Sequence, residues 1–202
     1  MLKLSEAVLH WLQYQRCIGV DQFLNESALT IPIVGYLTSV GWKTEKETDY
    51  WRICDKTTKD KCYADFYFTH QDKRRLVLET KLFKGSVTNK IFDDLVRLAL
   101  PVDGSIERLL LIAFNKEKKL WGHFKALLEL PEKEIGNVDP IGVTFQRDST
   151  IYPLAYNKMF SQIREFTSEN LSGFCVRCEA RQSSNNYDVV MFSVSRHPIA
   201  FP

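Results

Sequence analysis

The spacing of apolar side chains divides the chain into helix-like and strand-like segments. Residues 4–15 (LSEAVLHWLQYQ) place apolar groups at 4, 8, 9, 11 and 12, the pattern of an amphipathic helix beginning near Ser5. Thr30 followed by Pro32 reads as a second helix start, because the N–H that proline lacks is not needed in a first turn. That helix carries Ile33, Val34, Tyr36, Leu37 and Val40 and stops at Gly41. Three strand-like stretches follow, WKTEKETDYWRI, CYADFYFT and RLVLETKLF, rich in aromatic and β-branched residues. Helical spacing returns over residues 88–100, with Ile91, Leu95, Leu98 and Ala99 on one face ahead of Pro101. ERLLLIAFN is a nearly continuous apolar run, as expected of a strand covered on both faces. Beyond it the pattern predicts a polar helix over Lys116–Leu130, a strand at GVTFQ, a helix over LAYNKMFSQIREFTSE, and two closing strands, GFCVRCEARQ and YDVVMFSVS.

This order predicts an α/β fold with one central mixed sheet flanked by helices. Residues 1–130 would form an αβββαβ core with its N-terminal helix. Residues 131–202 would form an α+β extension of the same domain or a small lobe. The 202 residues suit a single domain, and 45% apolar composition sustains a core, which argues against disorder. No apolar run approaches the roughly 18 residues that span a bilayer, so no membrane association is expected. Glu6 and His10 interrupt any secretory core near the N-terminus, and five cysteines without dense spacing do not form an extracellular framework. A cytoplasmic, reducing setting is the expectation.

The formal net charge is only +2, yet its distribution is uneven. Between Lys56 and Lys90 nine lysines and arginines stand against four acids. A short basic zone in a near-neutral chain fits a local phosphate contact, or equally a solvated charged surface.

The chemistry concentrates at Asp65 and Glu79-Thr80-Lys81. Alternation along a strand puts Glu79 and Lys81 on one face and Thr80 on the other. A five-residue loop at His70–Arg74 pairs Thr69 with Arg75 and sets Asp65 opposite Glu79, whereas a four-residue loop sends the two carboxylates to opposite faces. In the first register two carboxylates and an ammonium converge. Hard oxygen ligands of this kind favour Mg²⁺ or Mn²⁺, and the group suits phosphodiester hydrolysis. With 13 Glu and 16 Lys, about one Glu-x-Lys is expected by chance. The second instance, Glu117-Lys118-Lys119, falls on a predicted solvated helix. Glu79 differs in being embedded among Leu76, Val77, Leu78, Leu82 and Phe83, where a charge is costly without a role.

Helix, strand, strand with Asp65, strand with Glu79-Thr80-Lys81, helix and apolar strand resembles the PD-(D/E)XK nuclease superfamily, the restriction-endonuclease-like fold, over residues 26–115. Ala64 stands where the eponymous proline often lies. The resemblance implies that Asp65 and Glu79 bind metal with the Thr80 backbone carbonyl, and that Lys81 serves the nucleophilic water. It also implies an acidic residue from the first helical region, with Glu26 the nearest match and Glu6 a rival. Lys84 and Lys90 are the expected nucleic-acid contacts. The implied activity is a Mg²⁺- or Mn²⁺-dependent endonuclease or exonuclease acting on DNA or RNA, with DNA favoured, as a homodimer or with a partner subunit. The competing expectation is a non-catalytic nucleic-acid-binding or assembly module that retains the fold.

Other motifs carry less. Cys175-Val176-Arg177-Cys178 is a lone CxxC, better read as structural cysteines on a strand. The four histidines lack metal-ligand spacing, and neither a phosphate-binding glycine loop nor a nucleophile elbow is present.

Overall fold

The structure, a computed structural model, describes residues 2–49, 63–84, 90–99, 103–116, 142–146 and 173–195. Helices α1 (Leu2–Cys17) and α2 (Thr30–Ser39) lead into strands β1 (Trp42–Asp49), β2 (Tyr63–His70) and β3 (Arg75–Phe83). Helix α3 (Lys90–Ala99) and strand β4 (Ile106–Asn115) follow, then β5 (Gly142–Gln146), β6 (Gly173–Ser183) and β7 (Tyr187–Ser195). Two short 3₁₀ turns, Asp21–Phe23 and Glu26–Leu29, connect α1 to α2. The helix expected at LAYNKMFSQIREFTSE lies outside the described residues, as does nearly all of the one expected over Lys116–Leu130.

The strands form one seven-stranded sheet in the order β1-β2-β3-β4-β7-β6-β5. Every pairing is antiparallel except β3–β4, whose parallel connection runs through α3. Because β7 pairs with β4, the C-terminal strands continue the sheet of the core. The helix–strand–strand–strand–helix–strand order of the predicted core is present in α2 to β4.

Helices cover both faces. Leu4, Val8 and Leu12 of α1 and Ile33 of α2 form one buried cluster with Phe66, Phe68, Leu76, Leu78 and Leu111 of the sheet. On the opposite face α3 buries Ile91, Leu95 and Leu98 completely and packs against β3, β4 and β7. β4 is therefore covered on both sides, with Leu109–Phe114 all buried, as its continuous apolar run requires. Helix α1 begins at Leu2, ahead of the start expected near Ser5. Ser5 lies inside it, and its hydroxyl donates to the Leu2 carbonyl at 2.7 Å instead of capping an N–H. Gly41, at φ +92°, ends the α2 region in the left-handed conformation that glycine takes most easily.

The β2–β3 turn fixes the register on which the site depends. The Lys73 N–H donates to the His70 carbonyl and the His70 N–H to the Arg74 carbonyl, both at 2.9 Å. Asp72 braces the turn by accepting from the Arg74 N–H at 3.1 Å and from its Nε at 2.7 Å. The resulting ladder pairs Thr69 with Arg75 and Phe66 with Leu78. Lys73 takes φ +70°, a conformation that disfavours side chains with a Cβ. Lys73→Gly is therefore expected to stabilise the protein by about 1 kcal/mol, since the left-handed penalty of about 1–2 kcal/mol disappears. For a chain of this size that raises the melting midpoint by about 2–4 °C, which differential scanning calorimetry reads directly.

Candidate functional site

Toward the C-terminal end of β3 the ladder with β2 runs as far as the Phe66–Leu78 pair, and beyond it the Asp65 side chain takes over from the backbone. Asp65 Oδ2 accepts the Thr80 backbone N–H at 2.8 Å and the Thr80 hydroxyl at 3.0 Å. Continuing the register one step sets Asp65 opposite Glu79, on the face opposite the Phe66–Leu78 pair. A strand residue turns its N–H and C=O to the same neighbouring strand, so the Thr80 carbonyl is directed to the side from which Asp65 approaches. The five-residue-loop register is thus the one adopted, and Asp65, Glu79 and Lys81 share the face covered by α3.

That helix contributes two charged groups. Asp94, only 1% exposed, lies with its Oδ2 3.0 Å from the Lys81 Nζ. Its other oxygen accepts from Arg97 one turn further on, and Arg97 Nε lies 3.6 Å from Glu79 Oε1. Glu79 itself is fully buried. From the 3₁₀ turn before α2, Glu26 Oε1 accepts from Lys81 at 3.2 Å. Asn25 caps this turn through the Ala28 N–H, and that holds Glu26 against β3. Lys81 therefore stands between carboxylates brought by two different elements.

The electrostatics follow from that crowding. Burial pushes Asp94 and Glu26 above the ordinary carboxylate range; Lys81 pulls each back, but only in part, and Asp65 repels both. Burial alone would lower the Lys81 pKa, yet Asp94, Glu26 and Asp65 together outweigh it and hold the ammonium charged. One lysine shared among several carboxylates is raised, while each carboxylate receives too little compensation. The six side chains Asp65, Glu79, Asp94, Glu26, Lys81 and Arg97 carry a formal excess of two negative charges. Among the described residues no three His, Cys, Asp or Glu side chains are grouped closely enough to hold a metal by themselves. A donor set of Asp65, Glu79 and the Thr80 carbonyl needs only two carboxylates and consists of the hard oxygens that suit Mg²⁺ or Mn²⁺.

The remaining sequence-predicted residues are placed as follows. Lys84 Nζ donates to the carbonyls of Asp21 and Gln22, at 2.8 and 2.9 Å, and so ties the first 3₁₀ turn to the end of β3. Lys90 opens α3 on the strand-adjacent side of the sequence, but its side chain lies outside the described set. Glu6 lies on α1, whereas it is Glu26 that meets Lys81. Cys175 and Cys178 are buried thiols of β6, and burial pushes the Cys178 thiol up to about 11.

Sequence reasoning missed Asp94 and Arg97. Their signal was present: Asp94 falls at helical spacing between Ile91 and Leu98, so a carboxylate occupies the apolar stripe of α3. No protein-family model matches this chain, and no curated protein or solved structure shows significant similarity to it.

Proposed function

We propose that this protein is a metal-dependent nuclease of the PD-(D/E)XK type that hydrolyses phosphodiester bonds, DNA in preference to RNA. The observation that carries this reading is the register of the β2–β3 hairpin: continued one step beyond the Phe66–Leu78 pair it brings Asp65 to Glu79, and Asp65 accepts from the N–H of Thr80, the residue between Glu79 and Lys81. Asp65, Glu79 and the Thr80 carbonyl would hold Mg²⁺ or Mn²⁺, while Glu26 is engaged by Lys81. The cation, when bound, would supply Lewis-acid polarisation of the scissile phosphate.

The protein's own groups have separable tasks. Asp65 and Glu79 provide fixed negative charge in a setting where carboxylates outnumber cations. Lys81, held charged by its neighbours, offers an ammonium to the negative charge that develops on the phosphoryl oxygens, or to the attacking water. Asp94 and Arg97 hold the two ends of the Glu79-x-Lys81 pair from α3.

Plasmid, single-stranded DNA and RNA, each incubated with Mg²⁺, Mn²⁺ or chelator, test the reading. Cation-dependent nicking or degradation of DNA is the expected result. No cleavage of any of them would move the reading to a non-catalytic nucleic-acid-binding module on the same fold.

Lys90, at the first turn of α3, is expected to meet the phosphate backbone without reading bases. Lys90→Ala should weaken DNA binding to a similar extent across sequences and reduce the slope of log K against log salt by about 0.9, the value for one lost phosphate contact. Fluorescence anisotropy titrations at several salt concentrations measure it. An unchanged slope would remove Lys90 from the interface.

A further inference from the structure

Resting on that nuclease reading, we infer that Asp94 is the positioning residue of the site: from α3 it fixes the Lys81 ammonium and, through Arg97, the Glu79 carboxylate. Its two oxygens are divided between the two tasks. Oδ2 faces Lys81 Nζ at 3.0 Å, and Oδ1 accepts from Arg97, whose Nε lies 3.6 Å from Glu79. A residue buried to 1% exposure inside an apolar helical stripe is an expensive place for a carboxylate that serves packing alone. Ile91, Leu95 and Leu98 already anchor the helix, so the fold has no need of Asp94 for docking.

The geometry also explains why one helix can set both charged members of the strand motif. Glu79 and Lys81 are two residues apart on β3 and face α3 together. Asp94 and Arg97 are three apart on a helix and therefore adjacent on its surface. The pairs interlock as carboxylate–guanidinium–carboxylate–ammonium: Glu79, Arg97, Asp94, Lys81. Glu26 adds a second carboxylate at the Lys81 end, but from a side chain that is 41% exposed, so it is the weaker tether. Lys81 has three freely rotating methylene joints beyond Cβ, and an ammonium that wanders is a poor stabiliser of charge at a fixed point.

The test uses the full chain and Asp94→Asn, which keeps shape and removes the charge. Two readouts are needed. The first is the rate at which an amine-reactive ester labels Lys81 relative to exposed lysines, quantified by peptide mass spectrometry without metal or nucleic acid. The second is steady-state cleavage kinetics. In Asp94→Asn, Lys81 should label several-fold faster. The kcat should fall by about tenfold or more while KM stays within about twofold, the signature of an interaction felt in the transition state. Glu26→Gln should raise the labelling rate less. Asp94→Glu should recover part of the lost kcat if the charge is what matters. Should Asp94→Asn melt more than a few degrees below the parent, Arg97→Lys replaces it, because the side chain of Arg97 is 26% exposed and tolerates exchange; there the kcat loss with unchanged KM is again expected. Unchanged labelling of Lys81, or faster labelling with unchanged kcat, would overturn the assignment. A parent that cleaves nothing would instead overturn the nuclease reading, and the labelling ratio would still decide whether Asp94 holds Lys81.

Discussion

Glu79→Gln is expected to reduce cleavage by about 10²–10³-fold, the loss typical of removing one fixed electrostatic element from an active site. The same substitution should leave the metal-free protein as stable as the parent or slightly more so. Glu79 is fully buried, and an ionised carboxylate there carries a desolvation cost that glutamine avoids. Its removal does not strand a cation, because Arg97 still has Asp94 beside it. Activity and stability therefore move independently. Cleavage rates and thermal melts of the two proteins, run on one preparation, separate a catalytic role from a structural one. A large drop in melting midpoint accompanying the loss of activity would mark Glu79 as part of the scaffold.

Lys81→Ala behaves differently. The ammonium sits between Asp94 and Glu26 with 15% of its side chain exposed, and its removal leaves the buried Asp94 with Arg97 as its remaining cation among the described residues. Breaking a fully buried ion pair costs about 3–5 kcal/mol. Residual exposure and the remaining arginine reduce this to about 2 kcal/mol, or about 4–8 °C in melting midpoint for a chain of this length. Turnover should fall by about 10²-fold, because the positive charge proposed to meet the developing phosphoryl charge is gone. Cation binding should persist, since Asp65, Glu79 and the Thr80 carbonyl are untouched. Calorimetric titration with Mn²⁺ beside a cleavage assay checks both halves. A lysine variant that cleaves like the parent would exclude Lys81 from the chemistry.

Much of this architecture could be read from local patterns. The β2 and β3 segments were legible because aromatic and β-branched residues are enriched in them, while the register stayed open between loops of five and four residues until the turn fixed it. β4 was legible because an uninterrupted apolar run needs cover on both sides, which α1 and α2 on one face and α3 on the other provide. What the pattern did not reveal was long-range pairing. Nothing in GFCVRCEARQ or YDVVMFSVS says that β7 lies against β4, and only that contact decides between a separate lobe and a continuous sheet.

The candidate site divides in the same way. Asp65, Glu79 and Lys81 could be assigned to one face because they lie on adjacent strands whose alternation is predictable. Asp94 and Arg97 were missed because their contacts are made across layers, where the rotation of α3 about its axis decides which side chains meet. Lys84 illustrates the converse. Its position in a basic zone pointed outward to phosphate, whereas its ammonium serves the carbonyls of Asp21 and Gln22. Counting charge along a segment does not tell whether a cation faces solvent or closes a turn.

The proposed nuclease function requires a divalent-cation site at the end of β3. The most direct measurement is the melting midpoint of the parent and of Glu79→Gln, each in chelator and in saturating Mg²⁺ or Mn²⁺, with DNA cleavage followed in the same samples. A cation that binds only the folded state raises its stability by linkage, by about 2.7 kcal/mol at a hundred times the dissociation constant. A cation-dependent rise is expected in the parent, together with cleavage that chelator abolishes. A much smaller rise, and cleavage reduced by about 10²–10³-fold, are expected in Glu79→Gln. Identical melts with and without cation in the parent, and intact DNA throughout, would contradict the proposed function.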